Sequence, residues 1–202
     1  MALKTTLGTL ALIAASFSST AANQVYHAHL NYLQLGGNYV VTDSDLDVVG
    51  GSVEFQAQMT PSWIARGGYL QGEDSDVDIQ VDQIYGSLGY IVNNSGNTAH
   101  IIEVGLSRNE VDVPTASGNV KLDSDFYGIG YRYWWHVARR WEAELDVNAW
   151  KAFNEDDDAT DDFQFGAQLR LNYYFADNWG AGAQYKYNED TDTFGLYVRY
   201  IF

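Results

Sequence analysis

Along most of this chain apolar and polar residues alternate with a period of two, as strands do when their two faces meet different media. Val49, Gly51, Val53, Phe55, Ala57 and Met59 share one parity, and Ser52, Glu54, Gln56 and Gln58 share the other. The pattern returns with Phe163, Phe165, Ala167, Leu169, Leu171, Tyr173 and Phe175 set against Gln164, Gln168, Arg170 and Asn172. It returns again with Phe194, Leu196, Val198, Tyr200 and Phe202 set against Gly195, Tyr197 and Arg199. Read throughout, the alternation predicts ten strands: Tyr32 to Val41, Val48 to Met59, Trp63 to Gln71, Asp82 to Val92, Ala99 to Arg108, Asp125 to Trp135, Trp141 to Lys151, Phe163 to Phe175, Trp179 to Asn188 and Thr193 to Phe202. Most are about as long as a tilted membrane-crossing strand needs to be.

Alternation does not say which face is enclosed; charge does. The polar parity carries Glu54, Glu103, Glu142, Glu144 and Asp146 with Arg66, Arg132, Arg170, Lys186 and Arg199, five acids against five bases, as expected of ion pairs in a closed interior. The apolar parity carries almost no charge, its exceptions being Arg108 and Lys151 at strand ends. A soluble lipid-carrying barrel would turn the apolar set inward. The charge balance predicts the reverse, an all-β, ten-stranded, antiparallel transmembrane barrel in up-and-down order with lipid outside. Mean hydropathy of -0.27 suits such a barrel, whereas a helical membrane protein would be far more apolar. Inward Trp134, Trp150, Tyr85, Tyr174 and Tyr197, with Gly128, Gly130, Gly166, Gly182 and Gly195 making room, predict a lumen filled by its own side chains.

An even strand count puts both termini on one side, expected to be the periplasm. Short connections around Pro61, Asn93 to Thr98, His136 to Arg140 and Asp177 then face the periplasm. Five face outward: Asp43 to Asp47, Gly72 to Val81, Asn109 to Leu122, Asn154 to Asp162 and Glu189 to Asp192. Apart from the five lumen acids and Asp177, every acid of the chain lies at the outward end, which supports this orientation. Trp63, Trp135, Trp141 and Trp179 flank the short turns on the apolar parity, where amphipathic rings mark a membrane boundary.

The segments at the two ends of the sequence carry a family resemblance. Lys4, the short apolar run Leu7 to Phe17 and the small residues before Ala22 read as a secretory signal, with cleavage expected after Ala21 or Ala22. Residues 1–22 would be the signal and 23–202 the barrel, with a short periplasmic arm over 23–31. The strand TFGLYVRYIF, finishing on Phe202, resembles the C-terminal signal of bacterial outer-membrane barrels. The chain thus resembles the broad family of outer-membrane β-barrel-domain proteins and opacity-type porins. That resemblance implies residence in the cell outer membrane, contact with its lipid and lipopolysaccharide, and handling by the barrel-insertion machinery through the strand ending at Phe202.

Candidate chemistry is sparse. Acids spaced two apart, Asp43 and Asp45 with Asp47, and Asp74, Asp76 and Asp78, could share a divalent cation, although no EF-hand spacing accompanies them. A solvated acidic rim is the plainer reading, and no cofactor is expected. Arg108 and Lys151 are placed to meet lipid phosphates, or simply to snorkel. His27 and His29 fall in the arm, read as exposed and flexible; His100 and His136 fall at short-turn ends. The omptin proteases and lipid A deacylases resemble this architecture but use a histidine, and no histidine lies at the outward end, so no enzymatic activity is expected. With a net charge of -16 and pI near 4.3, nucleic-acid binding is disfavoured. The expectation is a surface-exposed structural or interaction barrel with an acidic rim and a largely plugged lumen. The alternative is a narrow channel for small solutes or ions; a surface partner is not legible.

Overall fold

A computed structural model describes residues 28–42, 47–74, 77–115, 118–153, 163–189 and 191–202. Its ten strands are β1 (Tyr32–Thr42), β2 (Asp47–Thr60), β3 (Trp63–Asp74), β4 (Ile79–Asn94), β5 (Thr98–Thr115), β6 (Gly118–Ala138), β7 (Trp141–Ala152), β8 (Gln164–Tyr174), β9 (Trp179–Asn188) and β10 (Thr191–Ile201). Each pairs antiparallel with its chain neighbours, and β1 pairs with β10 from Tyr32↔Ile201 to Thr42↔Thr191, closing the barrel. The fold class is as the alternation predicts. The signal segment and His27 lie outside the described residues.

Closure leaves two faces. The outer face is apolar and uncovered: Leu35, Ile84, Val104, Leu106, Ile129, Phe165 and Phe194 all stand exposed, and Leu196 is 72% exposed. The charged residues are inside, with Arg132, Arg199 and Glu142 each no more than 2% exposed. Burying charge while exposing Leu, Ile and Phe inverts the order of a water-soluble protein and matches a barrel solvated by lipid. At the short-turn end the outer rings meet in cross-strand pairs: Trp63 with Tyr90, Trp141 with Tyr173 and Trp179 with Tyr200, their centroids 5.2, 4.9 and 4.9 Å apart. Register shifts at Gln58/Thr60, Ile91/Asn93 and His136/Ala138 fall at this same end, where bulges sharpen the twist as hairpins turn over.

Two segments depart from expectation. The outward connection over Asn109 to Leu122 is mostly not a loop: β5 runs on to Thr115 and β6 begins at Gly118. Val111 pairs with Leu122 and Val113 with Val120, so β-branched residues carry the alternation past the point where acids had suggested a loop. Lys121 bridges Glu110 and lies 3.4 Å from Asp112, holding the Glu110 carboxyl below its ordinary range. The second departure is the arm. Ala28 and Leu30 are buried against inward Ile64, Ile91, Ala99, Ile101 and Trp134, making an apolar stopper in the short-turn end of the lumen. An arm whose alternate residues are Ala and Leu has somewhere apolar to go, which outweighs the tendency of end segments to fray.

Space in the lumen is set by glycines facing aromatics. A Cβ at Gly182 would come within 2.5 Å of the Tyr197 ring, and one at Gly128 within 2.5 Å of Trp150, while outward Gly51 has only a backbone oxygen at 3.8 Å. Gly182→Val and Gly128→Val should each lower stability by about 1–3 kcal/mol through overpacking. Gly51→Val should leave it nearly unchanged. Urea unfolding midpoints of the barrel refolded in detergent check the ranking.

Candidate functional site

The chemistry of this protein is concentrated in a layer of buried charge across the lumen. Arg170 on β8 forks onto Glu54 on β2, with Nη1 2.8 Å from Oε1 and Nη2 2.7 Å from Oε2. Glu54 also accepts from the hydroxyls of Tyr32, at 2.6 Å, and Tyr85. Arg66 on β3 donates to Glu103 at 2.8 Å and to Asp146 at 3.1 Å. Arg132 on β6 meets Glu103 and donates to Gln56 Oε1. Arg199 on β10 donates through Nη1 to Glu144 at 2.6 Å and through Nη2 to Gln34 at 2.9 Å, its guanidinium 3.9 Å from the centroid of the Tyr32 ring.

Four guanidiniums and four carboxylates, drawn from seven strands, thus pair with one another across the cross-section. The gap bounded by Glu144, Asp146, Gln168 and Arg170 has no room for a water molecule. The layer's groups are committed to each other, and taking one partner away would strand a charge in a site of low polarity.

Two members of the expected charge set stand apart. Lys186 lies half-buried beyond the layer on the side of the long hairpins, in register with Gln168 and Thr193, and forms no ion pair among the described residues. Glu142 lies on the opposite side, where it accepts from Trp134 Nε1 at 3.1 Å and the Tyr174 hydroxyl at 2.8 Å and meets His29 Nδ1. His29 therefore corrects the reading of a free arm residue: it is pinned at the lumen end, its ring 4.8 Å from that of Tyr174. Asn31 Oδ1 accepts from the Gln58 amide at 2.6 Å and Leu30 O from Gln56 Nε2 at 3.0 Å, so the arm is held by polar bonds as well as apolar burial.

The acids considered for cation binding do not converge in the described residues. Asp74 accepts from the Asp47 amide at 2.9 Å, tying the start of β2 to the end of β3, and Asp78 occupies a turn with φ of 54°. Asp43, Asp45 and Asp76 lie outside the described residues. No group of three or more His, Asp or Glu side chains gathers into a metal-holding cluster among those described. On the outer wall, Arg108 meets Asp123 at 2.5 Å, and the Lys151 ammonium stands 5.8 Å from the Phe163 ring centroid. Arg108 and Phe163 border a space of about 1260 Å³ along β4, β5 and β6 whose lining takes in outward Ile84, Leu106 and Ile129 and also Arg66, Tyr85 and Ser107 of the lumen parity.

No family model matches the chain, and no curated protein matches it. Among solved structures it is similar to the N-terminal β-barrel domain of Pseudomonas aeruginosa OprF, at 11% identity and a TM-score of 0.43 over 84% of this chain and 96% of that one. It is also similar to the KdgM porin in complex with disordered oligogalacturonate, at 10% identity and a TM-score of 0.46 over 84% and 99%. Neisserial surface protein A is a third, at 14% identity and a TM-score of 0.43 over 85% and 96%.

If the layer holds as drawn, Arg170→Met should cost about 3–5 kcal/mol by stranding Glu54. Adding Glu54→Gln should return most of that loss, because both charges are then gone. Urea titrations of the two variants in micelles measure the difference, and equal destabilisation of single and double variants would refute the pairing. For the arm, Leu30→Asp should expel residues 28–31 while leaving the barrel closed. Limited proteolysis would then trim the arm without changing the mobility shift between heated and unheated protein on gels.

Proposed function

We propose that this chain is a small outer-membrane β-barrel that serves as a surface-exposed structural or interaction protein, with its long outward hairpins extracellular and both barrel ends of the chain periplasmic. Its partners on this reading are membrane lipid and lipopolysaccharide around the apolar wall, and the insertion machinery that handles β10. The observation that carries the reading is the doubly obstructed lumen: a layer of buried ion pairs across the cross-section, backed by the stopper of Ala28 and Leu30. A solute path would have to break the Arg170–Glu54 fork and displace the arm together. The wall, by contrast, is committed to lipid, which leaves the hairpins as the part with freedom to act.

Planar-bilayer recording of the refolded barrel tests the closed state. Little or no conductance is expected, and a stable nanosiemens-scale channel in the wild type would favour the channel reading instead. Topology is tested separately with epitopes. One inserted between Asp157 and Asp158 should bind antibody on intact cells, and one placed at Gly96, where φ of 81° marks a tight turn, should bind only after permeabilisation.

A further inference from the structure

A polar pair stands on the lipid face of the wall near its short-turn end. His100 on β5 and Tyr131 on β6 both turn outward, since Ala99 and Ile101 on the one strand and Arg132 on the other are buried toward the lumen. His100 Nδ1 lies 2.5 Å from the Tyr131 hydroxyl, and neither side chain makes another hydrogen bond among the described residues. Counting protons gives what is left over. If the phenol donates to Nδ1, the Nε2–H remains; if Nδ1–H donates, the phenol hydrogen remains; an imidazolium leaves two donors. In every tautomer at least one donor faces the bilayer unmet. Hydrocarbon has no acceptor for it, so the acceptor has to come from the polar part of a lipid or from water held there.

The groups around the pair are ordered along the strands as the parts of a phospholipid are. Toward the middle of the wall lie exposed Ile102 and Val147, the cross-strand partners of Tyr131. Toward the short turns come the Tyr133 ring, 4.9 Å from that of His100, and the Trp135 ring stacked on Tyr133 at 5.1 Å. Past them the β6–β7 hairpin turns over at Arg139 and Arg140, both exposed. Apolar wall, donor, aromatic rings and cations thus follow the order acyl chain, ester carbonyl, glycerol and phosphate. Charge agrees. Histidines aside, the exposed charged side chains at this end are the two arginines and Asp177 among the described residues, so an anionic headgroup is attracted here, whereas the acids of the long-hairpin end repel it. All four connections at this end lie within the described residues, and Ala28 of the arm is on the lumen side of the wall.

We propose that the outward face of β5 and β6 at the short-turn end is a binding site for a glycerophospholipid with an anionic headgroup. The His100–Tyr131 pair donates to an ester carbonyl, the Tyr133 and Trp135 rings lie beside the glycerol, and Arg139 and Arg140 reach back to the phosphate. This deepens the reading of membrane lipid as a partner of the wall and rests on it. On that reading the site faces the periplasmic leaflet, away from lipopolysaccharide. The measurement below is made on the barrel released from micelles and needs neither an orientation nor a conductance, so failure here and failure of the closed-barrel reading are distinguishable.

The test is native mass spectrometry of the refolded barrel, with dioleoyl phosphatidylglycerol, its dialkyl ether analogue and dioleoyl phosphatidylcholine as the lipids. The ether analogue keeps the headgroup and chains but has no carbonyl. Wild type should retain the ester phosphatidylglycerol about fivefold better than the ether, the worth of one net hydrogen bond. His100→Phe together with Tyr131→Phe should erase that preference, because the wall then has no donor there. Either substitution alone leaves one donor and should lose less. Arg139→Gln with Arg140→Gln should keep the ester preference and lose the preference for phosphatidylglycerol over phosphatidylcholine. All four side chains are on the outer surface, the mobility shift between heated and unheated protein shows that each variant barrel is closed, and the comparison of ester with ether in the wild type needs no variant. Three results would overturn the proposal: equal retention of ester and ether lipids by the wild type, which would mean that water meets the donor; an ester preference that survives the His100→Phe, Tyr131→Phe double variant; or displacement of the lipid by millimolar inorganic phosphate, which would place binding at the arginines alone.

Discussion

A buried guanidinium cannot be left unpaired, and most of this barrel's architecture follows from that constraint. Desolvating an ion costs several kcal/mol, so Arg66, Arg132, Arg170 and Arg199 are tolerable only while Glu54, Glu103, Glu144 and Asp146 are held against them. The partners come from strands far apart in sequence, 116 residues in the case of Arg170 and Glu54 and 55 for Arg199 and Glu144. A one-residue slip of any of these strands would turn its charged members out into lipid and its Leu and Phe inward. The ion layer thus selects one register around the whole ring, which alternation alone does for each hairpin separately.

The lumen is consequently graded along its axis. At the short-turn end it is largely apolar, with Leu30 packed among Ile64 and Ile101, and Glu142 bonded to Trp134, Tyr174 and His29. The charge layer follows. Beyond it the inward residues are amides and hydroxyls that bond one another, as Gln184 Nε2 does to Asn38 Oδ1 at 2.9 Å and Gln168 Nε2 to Gln184 Oε1 at 3.2 Å. Neutral groups of this kind can face water without a partner, whereas the guanidiniums below them cannot. The order from rim to stopper is therefore one of increasing intolerance for disruption.

Period two is a property of neighbours along the chain, and so the ten strands, their faces and the antiparallel order were legible in the sequence. Which acid meets which base was not. Parity names a face but not a height, and the tilt of a closed sheet shifts heights from strand to strand. Glu142 and Glu144 share a parity, yet one answers His29 and the other Arg199. Lys186 shares it with Gln184 and Asn188 and falls outside the paired layer for the same reason. The arm escaped because Ala28 and Leu30 are too few to show a period. The outward ends of β5 and β6 escaped because Glu110, Asp112, Lys121 and Asp123 look like loop composition until they are seen to share one face, with Val111, Val113, Val120 and Leu122 on the other.

The seam between β1 and β10 carries a kinetic consequence. Its pairing joins residues remote along the chain, Tyr32 with Ile201 for one, and in a bilayer an open sheet would leave two rows of backbone donors and acceptors facing hydrocarbon. Arg199 reaches Gln34 only across that seam, so its guanidinium also keeps donors unmet until closure. No subset of strands can then rest inside the membrane as a stable way-station. Entry into the bilayer and zipping of the seam become a single concerted event, slow because its contacts are so remote along the chain and difficult to reverse once the last guanidinium is in place.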